Sequence, residues 1–128
     1  MNRERFVFDA SALLAAGSGN QLASTLIHHA NLKPEWSLYV PLCALVQAEW
    51  DRKGIAEHFA ALPGVAFLEL DLPAALTMSK SPPEAWSESH VVHAATPGPL
   101  SPVSPEGGTV VTTRPEHYPG LRTLDIRP

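Results

Sequence analysis

Hydrophobic positions along this chain alternate between two periods. Arg5-Phe6-Val7-Phe8, Ser37-Leu38-Tyr39-Val40, Val65 to Leu70 and Thr109 to Thr113 are short apolar or β-branched runs bounded by polar or turn residues. Such runs predict strands over 4–8, 37–40, 65–70 and 109–113, with a weaker fifth over 121–126. Between them, apolar residues recur at helical spacing. A short helix is expected over 10–16, stopped by Gly17-Ser18-Gly19. Asn20 caps a second helix that places Leu22, Leu26, Ile27 and Ala30 on one face. Further helices are expected over 42–51, 54–62, 73–79 and 84–95, with Pro73 and Pro82-Pro83 at helix starts. The order β-α-α-β-α-α-β-α-α-β-β is that of parallel strands joined by helical crossovers, so the fold class is α/β with a central, mainly parallel sheet of four or five strands.

Composition narrows the picture. The 128 residues suit a single domain spanning 1–128, with no internal repeat. Thirteen prolines gather at Pro82-Pro83 and at Pro97, Pro99, Pro102 and Pro105, marking a Pro/Gly-rich loop over 96–107. A net charge of −4 gives no global attraction to nucleic acid, so any RNA has to be engaged locally, through residues such as Arg52, Lys53 and Arg114. The lone cysteine, Cys43, excludes an intramolecular disulfide and any multi-cysteine metal site, and its apolar surroundings make it a buried small hydrophobe. No segment has the roughly 20 apolar residues of a membrane span, and Met-Asn-Arg-Glu-Arg leads directly into a strand, so a cytoplasmic protein is expected.

Asp9 is the first candidate for chemistry. It ends the first apolar strand and precedes a helix, at the strand edge where open α/β sheets place their sites. A carboxylate there can hold a cation or activate water, and it can equally cap the helix that follows. No Gly-x-Ser-x-Gly elbow is present and Cys43 lacks an activating partner, which argues against hydrolysis by a Ser–His or Cys–His pair. His28, His29, His58 and His117 lack metal-site spacing and read as surface or packing residues.

The run Val7-Phe8-Asp9-Ala10-Ser11-Ala12-Leu13-Leu14 resembles the opening of PIN-domain proteins, which are metal-dependent ribonucleases. Three further segments follow in the family's order. Val40-Pro41 with Leu45 to Glu49 resembles its second strand and helix. Ser89 to Thr96 resembles its Asp-Ala-x-His-Ala-Ala-Thr helix, and Val110 to Pro115 its Val-Thr-x-Asp segment. The resemblance, to VapC-type toxin ribonucleases of bacterial toxin–antitoxin pairs in particular, implies a three-layer α/β/α sandwich. It also implies a cluster of acids holding Mg²⁺ or Mn²⁺ against RNA, because hard divalent ions take oxygen ligands.

Position by position, the resemblance implies Asp9 and Glu49 as catalytic and metal-binding residues, supported by Ser11 and Thr112. The other two acidic positions are replaced. His90 stands in the third as a substitute metal ligand, where imidazole suits Mn²⁺ or Zn²⁺ better than Mg²⁺ and brings no negative charge. Arg114 stands in the fourth, and its guanidinium either repels an ion or partly stands in for one by pairing with Asp9 or Glu49. Glu88 lies about 200° around the helix from His90 and should point elsewhere, whereas His93 shares the His90 face. The blander roles are an exposed helix position for Glu49, a packed or capping one for His90, and a solvated loop position for Glu116. Two functions follow: a metal-dependent endoribonuclease whose activity is weak or lost, or a non-catalytic PIN-like protein acting through RNA or protein contacts. An antitoxin-like partner and a homodimer are implied by the resemblance alone.

Overall fold

The computed structural model describes residues 3–128; Met1 and Asn2, which open the segment read above as leading into the first strand, lie outside them. Five strands form one sheet in the order β3-β2-β1-β4-β5, every neighbouring pair parallel. They are β1 (Glu4–Phe8), β2 (Trp36–Pro41), β3 (Val65–Leu68), β4 (Thr109–Thr112) and β5 (Thr123–Asp125). Six helices flank the sheet: α1 (Ala10–Gly17), α2 (Gln21–Leu32), α3 (Leu42–Asp51), α4 (Ile55–Ala60), α5 (Leu72–Met78) and α6 (Trp86–Ala95). The arrangement is the PIN-like α/β/α sandwich that the sequence implied.

Strand β1 lies at the centre, paired with β2 on one side and β4 on the other, and helices cover both of its faces. Val7 and Phe8 point to opposite sides of the sheet, yet both are fully buried. Leu38 and Val40 of β2 and Val110 and Val111 of β4 continue this core, which Leu13, Phe59, Val91, Tyr118 and Ile126 close from the helices and the C-terminal segment. The edge strands β3 and β5 are shorter than expected, ending at Leu68 and Asp125. Asp71 then caps α5 by accepting from the Ala74 N–H at 3.0 Å, which starts that helix one residue before the proline. The expected helix over 84–95 divides into a 3-10 turn, Pro83–Ala85, and α6.

From β1 the chain builds outward to β2 and β3 on one side, then crosses to β4 and β5 on the other. The C-terminal ends of β1 and β4 therefore flank a topological switch point, where the crossovers diverge and leave a crevice.

The Pro/Gly-rich segment after α6 is folded against the body of the protein. Gly98 N–H donates to the Pro105 carbonyl at 2.9 Å, Gly108 N–H to Ala95 at 3.0 Å, and the Ser104 hydroxyl to Gly107 at 2.9 Å. Val103 and Ser104 are buried by this folding, leaving Leu100 exposed at the tip. Gly107 is required at the return: its φ is +76°, and a Cβ there would lie 2.2 Å from the Ala95 carbonyl oxygen. Gly107→Ala is accordingly expected to cost more than about 1 kcal/mol of stability in urea unfolding, since strain and collision act together.

Candidate functional site

Asp9 sits at the switch point with 4% of its surface exposed. Four protein donors surround its carboxylate. Oδ1 accepts from the Ala12 N–H at 2.9 Å and the Ser11 hydroxyl at 2.7 Å. Oδ2 accepts from the Thr112 hydroxyl at 2.7 Å and the Tyr118 hydroxyl at 2.9 Å. The Ala12 bond is a helix N-cap, so Asp9 does cap α1. The Thr112 and Tyr118 bonds reach across the switch point to the end of β4 and the segment beyond it. Ser11 and Thr112 are held in turn, accepting from the backbone N–H groups of Thr113 at 3.0 Å and Arg114 at 2.8 Å.

Tyr118 was not marked by any motif as a partner of Asp9. Burial, and then the adjacent Asp9 carboxylate, push its phenol far above the ordinary tyrosine range, so it remains a donor at every physiological pH. A buried carboxylate needs such donors, because an unpaired buried charge is very costly.

A cleft of about 440 Å³ opens beside Asp9. Gln47 and Asp51 line it from α3, Glu84 and Glu88 from the 3-10 turn and α6, and Arg114 and His117 from the segment after β4. His117 Nδ1 pairs with the Glu88 carboxylate across the cleft. The cleft thus mixes acids with an arginine and a histidine, and its walls are partly exposed.

Of the sequence-derived candidates, the structure brings together Asp9, Ser11 and Thr112, and sets Arg114 at the rim. Glu49 and His90 are not brought to Asp9. Gln47 and Asp51, one helical turn apart, face the cleft, which puts Glu49 about 100° per residue away on a different face of α3. Glu49 instead accepts from Gly54 N–H at 3.1 Å and Ala56 N–H at 2.9 Å, capping α4. Those backbone bonds, Ala56 first and Gly54 second, hold its carboxyl below the usual range.

His90 is displaced in the same way. Glu88 lines the cleft, so His90, about 200° further round α6, turns inward and is 1% exposed. Its Nδ1 accepts the Cys43 N–H at 3.3 Å, one of the orphan donors in the first turn of α3, where Pro41 supplies no side-chain cap. Burial lowers the imidazole pKa below its ordinary 6.5, and the neighbouring His93 adds to the shift, while Glu69 and Asp71 oppose it.

The carboxylate of Asp9 is met by four protein donors, and among the described residues no group of three or more His, Cys, Asp or Glu is arranged to hold a metal. Helical spacing from Gln47 would have pointed to Asp51, but nothing in the sequence marked Gln47 as facing the cleft.

Comparison with protein-family models and with curated proteins finds no match in either. Among solved structures, the chain is similar to one from VapBC2 of Rickettsia felis bound to a DNA fragment from their promoter. The TM-score is 0.59 at 10% identity, covering 94% of this chain and 98% of that one. A chain of DNA-bound VapBC from Salmonella typhimurium gives a TM-score of 0.58 at 13% identity, covering 99% of this chain and 100% of that one. Likeness at such identity establishes the fold, and the fold is the PIN-like one that the four sequence segments implied.

Two predictions follow from this geometry. Tyr118→Phe and Thr112→Val each leave the buried Asp9 one donor short, and each is expected to cost about 1–3 kcal/mol in urea unfolding. His90 is held neutral in the folded chain, whereas the unfolded chain takes up a proton near the ordinary value of 6.5. The unfolded state therefore binds more protons as pH falls through 6.5, and stability declines from there toward the lower folded pKa. His90→Asn, which keeps an acceptor but does not titrate, should flatten that decline when unfolding free energy is measured across this range.

Proposed function

We propose that this chain is a PIN-like protein of the toxin–antitoxin type in which metal-dependent endoribonuclease activity is weak or lost, and that it works through contacts with a protein partner or RNA. The observation that carries this reading is the four-donor shell around Asp9. The carboxylate that the resemblance assigns to an ion is engaged in tying α1 to β4. Arg114 supplies a fixed positive charge in the cleft where an ion would have to compete with it. The similar chains come from VapBC complexes, which supports an antitoxin-like protein as the partner. Val46 and Trp50, one turn apart on α3, are 69% and 86% exposed, and exposed apolar side chains of this size suit contact with such a partner or with a second copy. The chain is read as one domain, and a cytoplasmic location accords with this function. Among the described residues no helix is long and apolar enough to cross a membrane.

One observation favours a second reading, a Mg²⁺- or Mn²⁺-dependent endoribonuclease. The cleft collects Asp51, Glu84 and Glu88 beside Asp9 at the carboxyl edge of a parallel sheet. In that reading these acids take the places that the sequence resemblance gave to Glu49 and His90, and Arg114 engages RNA phosphate.

A labelled RNA pool incubated with purified protein and millimolar Mg²⁺ or Mn²⁺, beside Asp51→Asn/Glu88→Gln, separates the two. The expected result is no metal-dependent cleavage and no rise in melting temperature with either ion, since an ion bound to the native state must raise it. Cleavage that requires the metal and disappears in the double variant would overturn the proposal and establish the nuclease.

A further inference from the structure

A second cleft, of about 570 Å³, lies at the opposite edge of the sheet from Asp9. Arg3, Arg5 and Arg122 line it, together with Glu4, Glu106 and Thr109. The topology gathers them there. Arg3 and Arg5 flank the start of β1, Thr109 begins β4, and Arg122 immediately precedes β5, so three parallel strands deliver their first residues to one edge. Arg3 and Arg5 are two apart on an extended chain and project to the same side of it.

Three of the nine lysines and arginines of an acidic protein thus converge on one concavity. None of the three is ion-paired among the described residues, although Arg127 is paired with Asp125 and His117 with Glu88. Among the described residues, Arg122 makes a 3.3 Å bond to the Glu106 carbonyl and its other donors have no protein partner. Converging guanidinium forks without ion-pair partners among the described residues match the oxygens of a tetrahedral anion, which they can bind bidentately. Glu4 and Glu106 give the same cleft acceptors for hydroxyl or amino donors, so its lining complements a ligand that carries an anion and donors together. No aromatic side chain lines it to stack a base.

We propose that this cleft binds the phosphate group of a nucleotide, free or within an RNA strand, with Arg3, Arg5 and Arg122 holding the phosphate oxygens and Glu4 and Glu106 accepting from the sugar. This binding uses none of the residues of the Asp9 cleft and stands whether or not the protein cleaves RNA.

The test is titration of the whole chain, in low salt without divalent metal, with AMP, with inorganic phosphate, and with a single-stranded RNA of about a dozen nucleotides. Saturable binding of AMP more tightly than inorganic phosphate is expected if the source is a free nucleotide, and binding of the RNA alone if it is a strand. Arg5→Gln and Arg122→Gln should each weaken that binding by about tenfold, the value of a charge-assisted hydrogen bond. In the RNA arm each should also lower the salt slope by about 1. Glu106→Ala, which removes an acceptor assigned to the sugar, should weaken AMP binding while inorganic phosphate binding is not reduced, a split that misfolding cannot mimic. Absence of binding by every probe, inorganic phosphate binding as tightly as AMP, or unchanged affinity in both arginine variants would overturn the proposal. So would an equal loss in Arg114→Gln, which would place the ligand in the Asp9 cleft.

Discussion

A buried carboxylate must be matched by donors, and in this protein Asp9 is matched from three directions at once. Its own helix supplies the Ala12 N–H and the Ser11 hydroxyl, the end of β4 supplies Thr112, and the segment beyond supplies Tyr118. The carboxylate thereby ties the central strand to the strand that crosses the switch point and seats Tyr118 in the core. Every arrangement of the nearby cleft starts from this knot. Its chemical consequence is that both carboxylate oxygens are engaged by protein donors.

Orphan backbone donors at helix starts govern the fate of the other two expected ligands. Helix α4 begins at Gly54, which has no side chain to cap it, and Glu49 fills that role from the helix before. Helix α3 begins after Pro41, which also lacks a capping group, and His90 fills that role from α6. In both cases a polar side chain of the right chemistry satisfies local backbone groups rather than the cleft. The cleft then receives the residues that helical geometry leaves facing it, Gln47 and Asp51 from α3 and Ser87 and Glu88 from α6.

Charge is segregated between the two edges of the sheet. The carboxyl edge gathers Asp9, Asp51, Glu84 and Glu88 beside Arg114 and His117, whereas the amino edge gathers three arginines, unpaired among the described residues, beside Glu4 and Glu106. In a protein with a net charge of −4, three of the nine lysines and arginines thus sit at one edge of the sheet. The folded proline-rich segment borders that edge through Glu106 and Gly107, so its anchoring shapes the arginine cleft.

The sequence by itself determined the layer order and the position of Asp9. Strand and helix periods are local properties, and a strand–carboxylate–helix junction needs only three adjacent features to be read. It also showed that Glu88 and His90 diverge, because their separation around a helix is a matter of residue count. Which of the two would face the cleft was not legible, nor was the turning of Glu49 toward α4. Both depend on how α3 and α6 are rotated against the sheet, and packing of Ala44, Ala48, Val91 and Ala94 sets that rotation. The Tyr118 bond to Asp9 and the convergence of Arg3, Arg5 and Arg122 join residues more than a hundred positions apart. Only the parallel pairing of β1 with β4 and of β4 with β5 brings such residues together, and pairing across that distance leaves no local trace in the chain.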